Sequence, residues 1–419
     1  MAGLALKSLG HNTTILERNP TPLLHNQGAG VVAGGDMLTF FNKYDRCKRP
    51  IAVASQKRMY LDKSGRVVHE ENMKQNMTSW DLVYYLLRAN FDGVESGYCN
   101  VPEKQEGDGV ARYEYGHTIT GLEEGEGGSV KVLFRKQDGT EGSMAADLVV
   151  GADGPSSTVR KIFHPEVQRK FVGYCALRGT VPEDEASMSA KEAFQEHFTF
   201  FHADGIQILA YLIPGTNGSI RPGERLINFV WYYNFPEDSP EFEELLTDVE
   251  GVRHRITLPP GKMQPSVWDK QIEVAHTRMP PQFAEIIAKT KHPFVQAITD
   301  VISPENSFMN GNVLLIGDAL AGFRPHPAAS TSQAAYDTMA LADLVSGKIT
   351  HDHFVEKTMQ FAGFVQDRGV KMGTRSQFGT DVPLTAHIAD RNLASTPRQE
   401  ETYPEWTKVK RPNSEKVDG

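Results

Sequence analysis

Four residues without a polar break, Val313 to Ile316, run directly into Gly317-Asp318, and no other feature limits so strongly what this chain can become. A strand that is apolar at every position has to be covered on both faces, the condition inside a parallel sheet with helices above and below. The acid then stands at the carboxyl end of the strand, where open α/β sheets hold their ligands, and it suits hydrogen bonds to hydroxyls. In the following loop, Pro325, Pro327, Ala328 and Ala329 leave the backbone open to close approach. From Ser330 a helix begins whose free N–H groups can face an anion or an electron-rich ring edge. The plainer reading, a strand-to-helix turn with Asp318 helping to cap it, stands beside this one.

The same order occurs in DLVVGADGPSSTVR. Leu148 to Val150 is a continuous apolar run, Gly151 and Gly154 flank Asp153, and a helix start at Ser156 or Ser157 carries Arg160. The chain also opens as the second half of a βαβ unit. Ala2, Ala5, Leu6 and Leu9 recur at helical spacing, Gly10 sits at the C′ position, and Thr13 to Leu16 is a short β-rich run closing on Glu17. In a dinucleotide-binding unit a strand and a glycine-rich turn come before such a helix, and an acid after it holds the adenosine ribose.

Between these segments lie two stretches of note. GAGVVAGGD, Gly28 to Asp36, has glycines for close backbone approach to a ligand or simply for turns. SWDLVYYLLRANF places Leu82, Val83, Leu86 and Leu87 on one helical face behind a Ser79 cap. Val130, Val132 and Phe134 alternate before an Asp138-Gly139 turn. From Cys175 to Phe235 the texture becomes that of antiparallel strands, and Phe229, Trp231, Tyr233 and Phe235 share one face, as core or as the wall of a pocket for a flat ring. Helices are expected from Pro240 to Arg255 and from Pro281 to Thr290. From Thr385 the chain reads as polar, and its last twenty residues as a tail.

A formal net charge of -9 without a basic run argues against nucleic acid and anionic membranes and for small-molecule chemistry. Three scattered cysteines indicate neither a disulfide framework nor a zinc site. No stretch is apolar for long enough to span a membrane, and the start has no signal-peptide core, so a cytoplasmic location is expected.

Taken in order, TTILERNP, GAGVV, DLVVGADGPSSTVR and VLLIGDALAGFRPHP resemble the FAD-dependent aromatic hydroxylases of the para-hydroxybenzoate hydroxylase fold, over about residues 1 to 375. Ser79-Trp80 and the RPHPAAS loop are most similar to the 2,6-dihydroxypyridine hydroxylase-like branch. The resemblance implies an α/β fold in which an FAD-binding doubly wound domain, 1–170 and 296–376, encloses a β-rich substrate domain, 171–295, with a polar tail at 377–419.

It further implies that Glu17 binds the adenosine ribose with Arg18 nearby, and that Asp153 and Gly154 form the motif tied to both FAD and nicotinamide use, where Asp153 also fixes a turn. Asp318 would bind the ribityl chain, and Pro325 and the loop to Ser330 would pass the isoalloxazine ring. Arg88 is either a neighbour of the cofactor or a packing arginine. Trp80 stands where many relatives carry an arginine, leaving the pyrophosphate without an assigned partner.

The reaction implied is hydroxylation of an electron-rich aromatic or hydroxypyridine-like small molecule by FAD, O2 and transient NAD(P)H. Halogenation or prenyl reduction on the same scaffold ranks below it. No metal is expected, and a homodimer is left open. His202, Tyr211, Tyr233 and His254 could take a substrate proton, but each reads as structural and none is assigned as catalytic. The family's first strand and glycine-rich turn would precede Met1, between the strand ending at Glu17 and the one ending near Gly317. Two readings follow: a start-truncated form of a working monooxygenase, or a non-catalytic remnant that at most binds a small molecule.

Overall fold

The computed structural model describes residues 1–22 and 30–395, so Gly28 lies outside the described residues. Helix α1 (Ala2–Ser8) ends as its sequence implies, with Gly10 at φ 89°, and β1 (Thr13–Leu16) follows. β1 pairs in parallel with β5 (Ala111–Glu114). A second parallel pair joins β9 (Val149–Gly151) to β17 (Val313–Leu315), and β16 (Ser307–Phe308) adds to the other edge of β17.

Among the described residues these two sheets share no strand. The expected place of a further strand is therefore corrected. β17 is the middle strand of its sheet, with Val313, Leu314 and Leu315 all 0% exposed, so it has no free edge. Among the described residues the outer strands are β1 and β5 in one sheet and β16 and β9 in the other.

A meander of β6 (His117–Glu124), β7 (Val130–Lys136) and β8 (Glu141–Ala146) follows β5, and Gly139 turns between the last two at φ 85°. The remaining strands form one ten-stranded sheet. Its antiparallel centre is β10 (Lys170–Pro182), β13 (Leu226–Asn234), β12 (Ile206–Ile213) and β11 (His197–Ala203). On one side come β15 (Phe294–Ile302), β14 (Thr257–Leu258) and β18 (Ala321–Gly322). On the other come β3 (Val53–Leu61), β4 (Val67–Ser79) and β2 (Gly30–Val32), with β3 parallel to β11. The β-rich layer thus recruits strands from 30–79 as well as from 171–295.

The two faces of this sheet differ in use. Phe229, Trp231 and Phe235 pack with α5 (Met188–Phe194), α6 (Pro240–Leu245), α7 (Pro265–Arg278) and α8 (Pro281–Ala288) in one apolar core, with Tyr233 at its margin. Each such side chain contributes about 1.5–3 kcal/mol by leaving water. Of the aromatic row, Phe229, Trp231 and Phe235 are core. The opposite face, with Tyr174, Tyr211, Val230 and Tyr232, turns toward the rest of the molecule.

Helices α2 (Gly35–Tyr44), α3 (Trp80–Asp92), α4 (Thr158–Phe163), α9 (Ser330–Val345) and α10 (His351–Phe378) complete the body of the fold. Two helical expectations are corrected. The stretch from Pro240 stays helical only to Leu245, because Asp248 accepts hydrogen bonds from the amides of Glu250 and Val252 and turns the chain. The polar segment from Thr385 is not a tail throughout: α11 (Leu384–Ser395) sets Leu384 and Ile388 against the sheet and buries Arg391. The last twenty residues lie outside the described residues.

Candidate functional site

Two loop-and-helix junctions gather most of the residues singled out by sequence. At the first, β17 ends in Gly317, which takes φ 58°, a conformation that suits glycine. Side chains of α9 hold the turn. The Gly317 amide donates to Asp337 Oδ2 at 2.8 Å, and Gln333 Nε2 donates to the Gly317 carbonyl at 2.8 Å. Asp318 is then presented, half-buried, to the start of α9, where Oδ1 accepts from the Ser330 hydroxyl at 2.6 Å. Burial raises the Asp318 carboxyl above its ordinary range, while Ser330 and then Arg169 oppose the shift.

Arg169 was not singled out by sequence. Its Nη1 donates to the Ser156 hydroxyl at 3.1 Å and its Nε to the Thr299 hydroxyl at 2.9 Å, and its charge acts on Asp318. Arg160 makes the closer tie. It is 1% exposed, Nη1 donates to the Ala319 carbonyl at 2.6 Å, and Nη2 donates to the Pro155 carbonyl at 2.6 Å. One guanidinium therefore fixes the Asp153-Gly154 turn against the Asp318 turn.

Asp153 is exposed and accepts from the Thr158 and Val159 amides at 2.6 and 3.2 Å, so here its carboxylate caps α4. Ser157 supplies the second cap. Gly154 takes φ 78°, with nothing within 4 Å of where a Cβ would stand.

Glu17, at the end of β1, accepts from the Asn19 amide at 2.8 Å, and Arg18 is exposed beside it. Burial, followed by the Glu17 carboxylate, pushes the hydroxyl of Tyr113 on β5 up to about 12. The Arg88 guanidinium lies 3.8 Å from the centre of that ring. Arg88 is 5% exposed and is bound through Nε and Nη2 to both oxygens of Asp92 at 2.9 and 2.7 Å. It also donates to the Tyr84 and Tyr115 hydroxyls. Burial works against its charge, but Asp92 and Tyr115 outweigh burial and hold the group above its ordinary value. With those donors committed, Arg88 stiffens the ground on which Glu17 stands. Trp80, just after the Ser79 cap, stacks on Tyr84 at 5.0 Å.

Pro325 is exposed, on a loop whose next residue, His326, is 1% exposed. β2, the end strand of the ten-stranded sheet, is bonded back to β13 and β10. The Gly30 amide donates to Asn228 Oδ1 at 2.9 Å, and Arg178 Nη2 donates to the Gly30 carbonyl at 3.0 Å. A Cβ on Gly30 would stand 2.6 Å from Asn228 Cγ and 2.8 Å from Tyr211, so only glycine fits. The Thr331 hydroxyl on α9 donates to the Val32 carbonyl at 3.2 Å, linking β2 to the helix that starts beside Asp318.

The four side chains weighed as proton acceptors are scattered. Tyr211 faces Gly30, His202 stacks on His387 at 4.0 Å, His254 is paired with Asp248 at 2.8 Å, and Tyr233 borders the core. Among the described residues no group of His, Cys, Asp and Glu could hold a metal ion, and no helix is long and apolar enough to cross a membrane.

Residues 171–300 match the FAD binding domain-like family. The chain is 28% identical over 360 residues to 2,6-dihydroxypyridine 3-monooxygenase of Paenarthrobacter nicotinovorans, covering 86% of this chain and 82% of that protein. It is 28% identical over 271 residues to salicylate hydroxylase of Pseudomonas putida, covering 62% of this chain and 53% of that one. In structure it is similar to 2,6-dihydroxypyridine-3-hydroxylase from Arthrobacter nicotinovorans, with a TM-score of 0.77 and 27% identity over 91% of this chain and 90% of the other.

Proposed function

We propose that this chain, a member of the FAD-binding aromatic hydroxylase family, is a flavin-dependent monooxygenase that hydroxylates an electron-rich aromatic or hydroxypyridine-like small molecule with NAD(P)H and O2. The observation that carries the reading is the Asp318 turn, clamped by Asp337 and Gln333 and tied by Arg160 to the Asp153-Gly154 turn. It sits in a chain similar over most of its length to a dihydroxypyridine hydroxylase.

The residues present fit FAD at two places. The half-buried Asp318 carboxylate has one oxygen bonded to Ser330 and acceptor capacity to spare for ribityl hydroxyls. Glu17, at the carboxyl end of β1, has the chemistry to accept from ribose hydroxyls. Near α9, a Cβ on Gly34 would stand 2.3 Å from Ser332 Oγ, and Gly35 has open space around it, so backbone approaches where a side chain could not. When bound, the reduced flavin activates O2 for transfer to the ring.

The protein has three tasks in that reaction. Asp318 and Glu17 would hold the cofactor's hydroxyls. The exposed Pro325 and the loop to Ser330 would border the ring. The sheet face carrying Tyr211, Asn228 and Arg178 faces the substrate side and keeps water out with its aromatic neighbours.

The test is to load the purified chain with FAD, remove the excess, and follow NADH and NADPH consumption with 2,6-dihydroxypyridine and with salicylate, identifying products by mass. Retained flavin and a product heavier by one oxygen atom are expected. A folded chain that retains no flavin, or retains it and hydroxylates neither probe nor any related phenol, refutes the reading.

A further inference from the structure

His326 has no part in the scheme above, yet it is among the most firmly held side chains of the loop. The Tyr174 hydroxyl lies 3.0 Å from Nε2, and Nδ1 lies 3.1 Å from Gln207 Oε1. The same Gln207 oxygen accepts from the Ser376 hydroxyl at 2.6 Å. An amide oxygen only accepts, so Nδ1 carries the hydrogen; in a buried site beside the Arg391 and Arg324 guanidiniums a second proton is disfavoured, so Nε2 stays bare and accepts from Tyr174. The imidazole is therefore neutral and fixed in one tautomer.

The groups around it favour that state. Arg391 of α11 donates to the His326 carbonyl, Arg324 of the same loop is paired with Asp300 at 2.9 Å, and Tyr232 of β13 packs on the ring at 4.3 Å. Burial, then Arg391, Arg324 and His387, lowers the basicity of the ring well below the ordinary histidine value. The network does not relay protons: His326 Nδ1 and Ser376 both donate to one oxygen, where the path stops.

We propose that His326 is the positioning residue of the ring-bordering loop, pinning Pro325 to Ala328 against β10 and β12 and against the ends of α10 and α11. The placement of the loop relative to the substrate side of the sheet is thereby set by Tyr174, Gln207, Ser376 and Arg391, which come from four different elements. This rests on the reading that the loop borders the flavin ring. The geometry is demanding, because a displacement of the order of 1 Å can cost about 100-fold in rate.

The experiment uses the full chain and the variants His326→Gln, His326→Leu and Tyr174→Phe. Glutamine again offers one donor and one acceptor, leucine offers neither, and Tyr174→Phe removes only the hydroxyl and leaves no large cavity. Hydrogen exchange of the 323–332 segment, read without cofactor, is expected to be faster in His326→Leu and Tyr174→Phe and close to wild type in His326→Gln.

With FAD loaded and 2,6-dihydroxypyridine as probe, the first two are expected to shift the flavin visible bands. They should lower kcat about tenfold or more while KM stays within about threefold. His326→Gln is expected to restore bands and kcat. If His326→Leu does not fold, Tyr174→Phe decides. Unchanged exchange in folded Tyr174→Phe overturns the proposal, and so does a folded His326→Gln that behaves like leucine. Because exchange is read without FAD, a chain that fails to hydroxylate counts against the proposed function and not against the placement of the loop.

Discussion

Replacing Asp318 with alanine is expected to weaken FAD binding without unfolding the protein. The carboxylate stands at the end of β17 with a hydrogen bond from Ser330, and Arg169 acts on it only through its charge. Its removal leaves Ser330 without that partner at the exposed start of α9, where water replaces it, so the cost to folding is small. Binding is affected differently. A hydrogen bond from a ligand hydroxyl to a charged acceptor is worth about 1.5–3 kcal/mol, which is about 10- to 150-fold in Kd. Asp318→Asn keeps the shape and one acceptor oxygen and should lie between wild type and alanine.

Quenching of FAD fluorescence on titration with protein, beside a thermal melt, measures both effects. A control change at the exposed Lys63→Ala should leave Kd unaltered. If Asp318→Ala binds FAD within about threefold of wild type while melting normally, the assignment of the ribityl end to this turn is wrong.

Arg160→Met should loosen both turns at once, lowering FAD affinity and melting temperature together, whereas Arg169→Met should spare the melting temperature more; the same titration and melt check both. Gly30→Ala drives a methyl group into Asn228 and Tyr211 and should cost about 1–3 kcal/mol in urea unfolding, with a rise in KM for the aromatic probe. Arg225→Met strands Glu183, which is 1% exposed and receives Arg225 at 2.5 and 2.8 Å, and should cost about 3–5 kcal/mol near neutral pH. Burial raises the Glu183 carboxyl, but Arg225, the Gly223 amide and Gln195 outweigh it and leave it below the ordinary value. A depressed folded value means that wild-type stability from this pair is present above the unfolded value of about 4.3 and is lost as pH falls through the folded one. In Arg225→Met that acid-side loss should shrink, as urea unfolding across the acid range will show.

What the sequence made legible follows from where its signals are local. Val313 to Leu315 reads as a doubly covered strand because every residue is apolar, and in the fold every one is 0% exposed. Ser79, Ser157 and Gly10 announce helix ends because capping is a matter of one residue and its immediate neighbours. The ten-stranded sheet was less legible, since it depends on β3 pairing with β11 across more than a hundred residues, and β4, with its run of exposed polar residues, has no apolar pattern to announce a partner. Alternation in β13 correctly separated Phe229 and Trp231 from Asn228 and Tyr232. It could not say which set was core, because helices cover one face and the loop of His326 with α10 and α11 covers the other.

Arg169 and His326 escaped notice, and the clamping role of Arg160 with them, for a related reason. The partners of Arg160 are backbone carbonyls of Ala319 and Pro155, and those of His326 are Tyr174 and Gln207, each brought to it by tertiary folding. The side chains proposed to hold the cofactor stand at the ends of strands, where a motif reveals them. Side chains that hold those motifs in register are buried between elements far apart in sequence, and their role becomes readable only when the partner's distance is known.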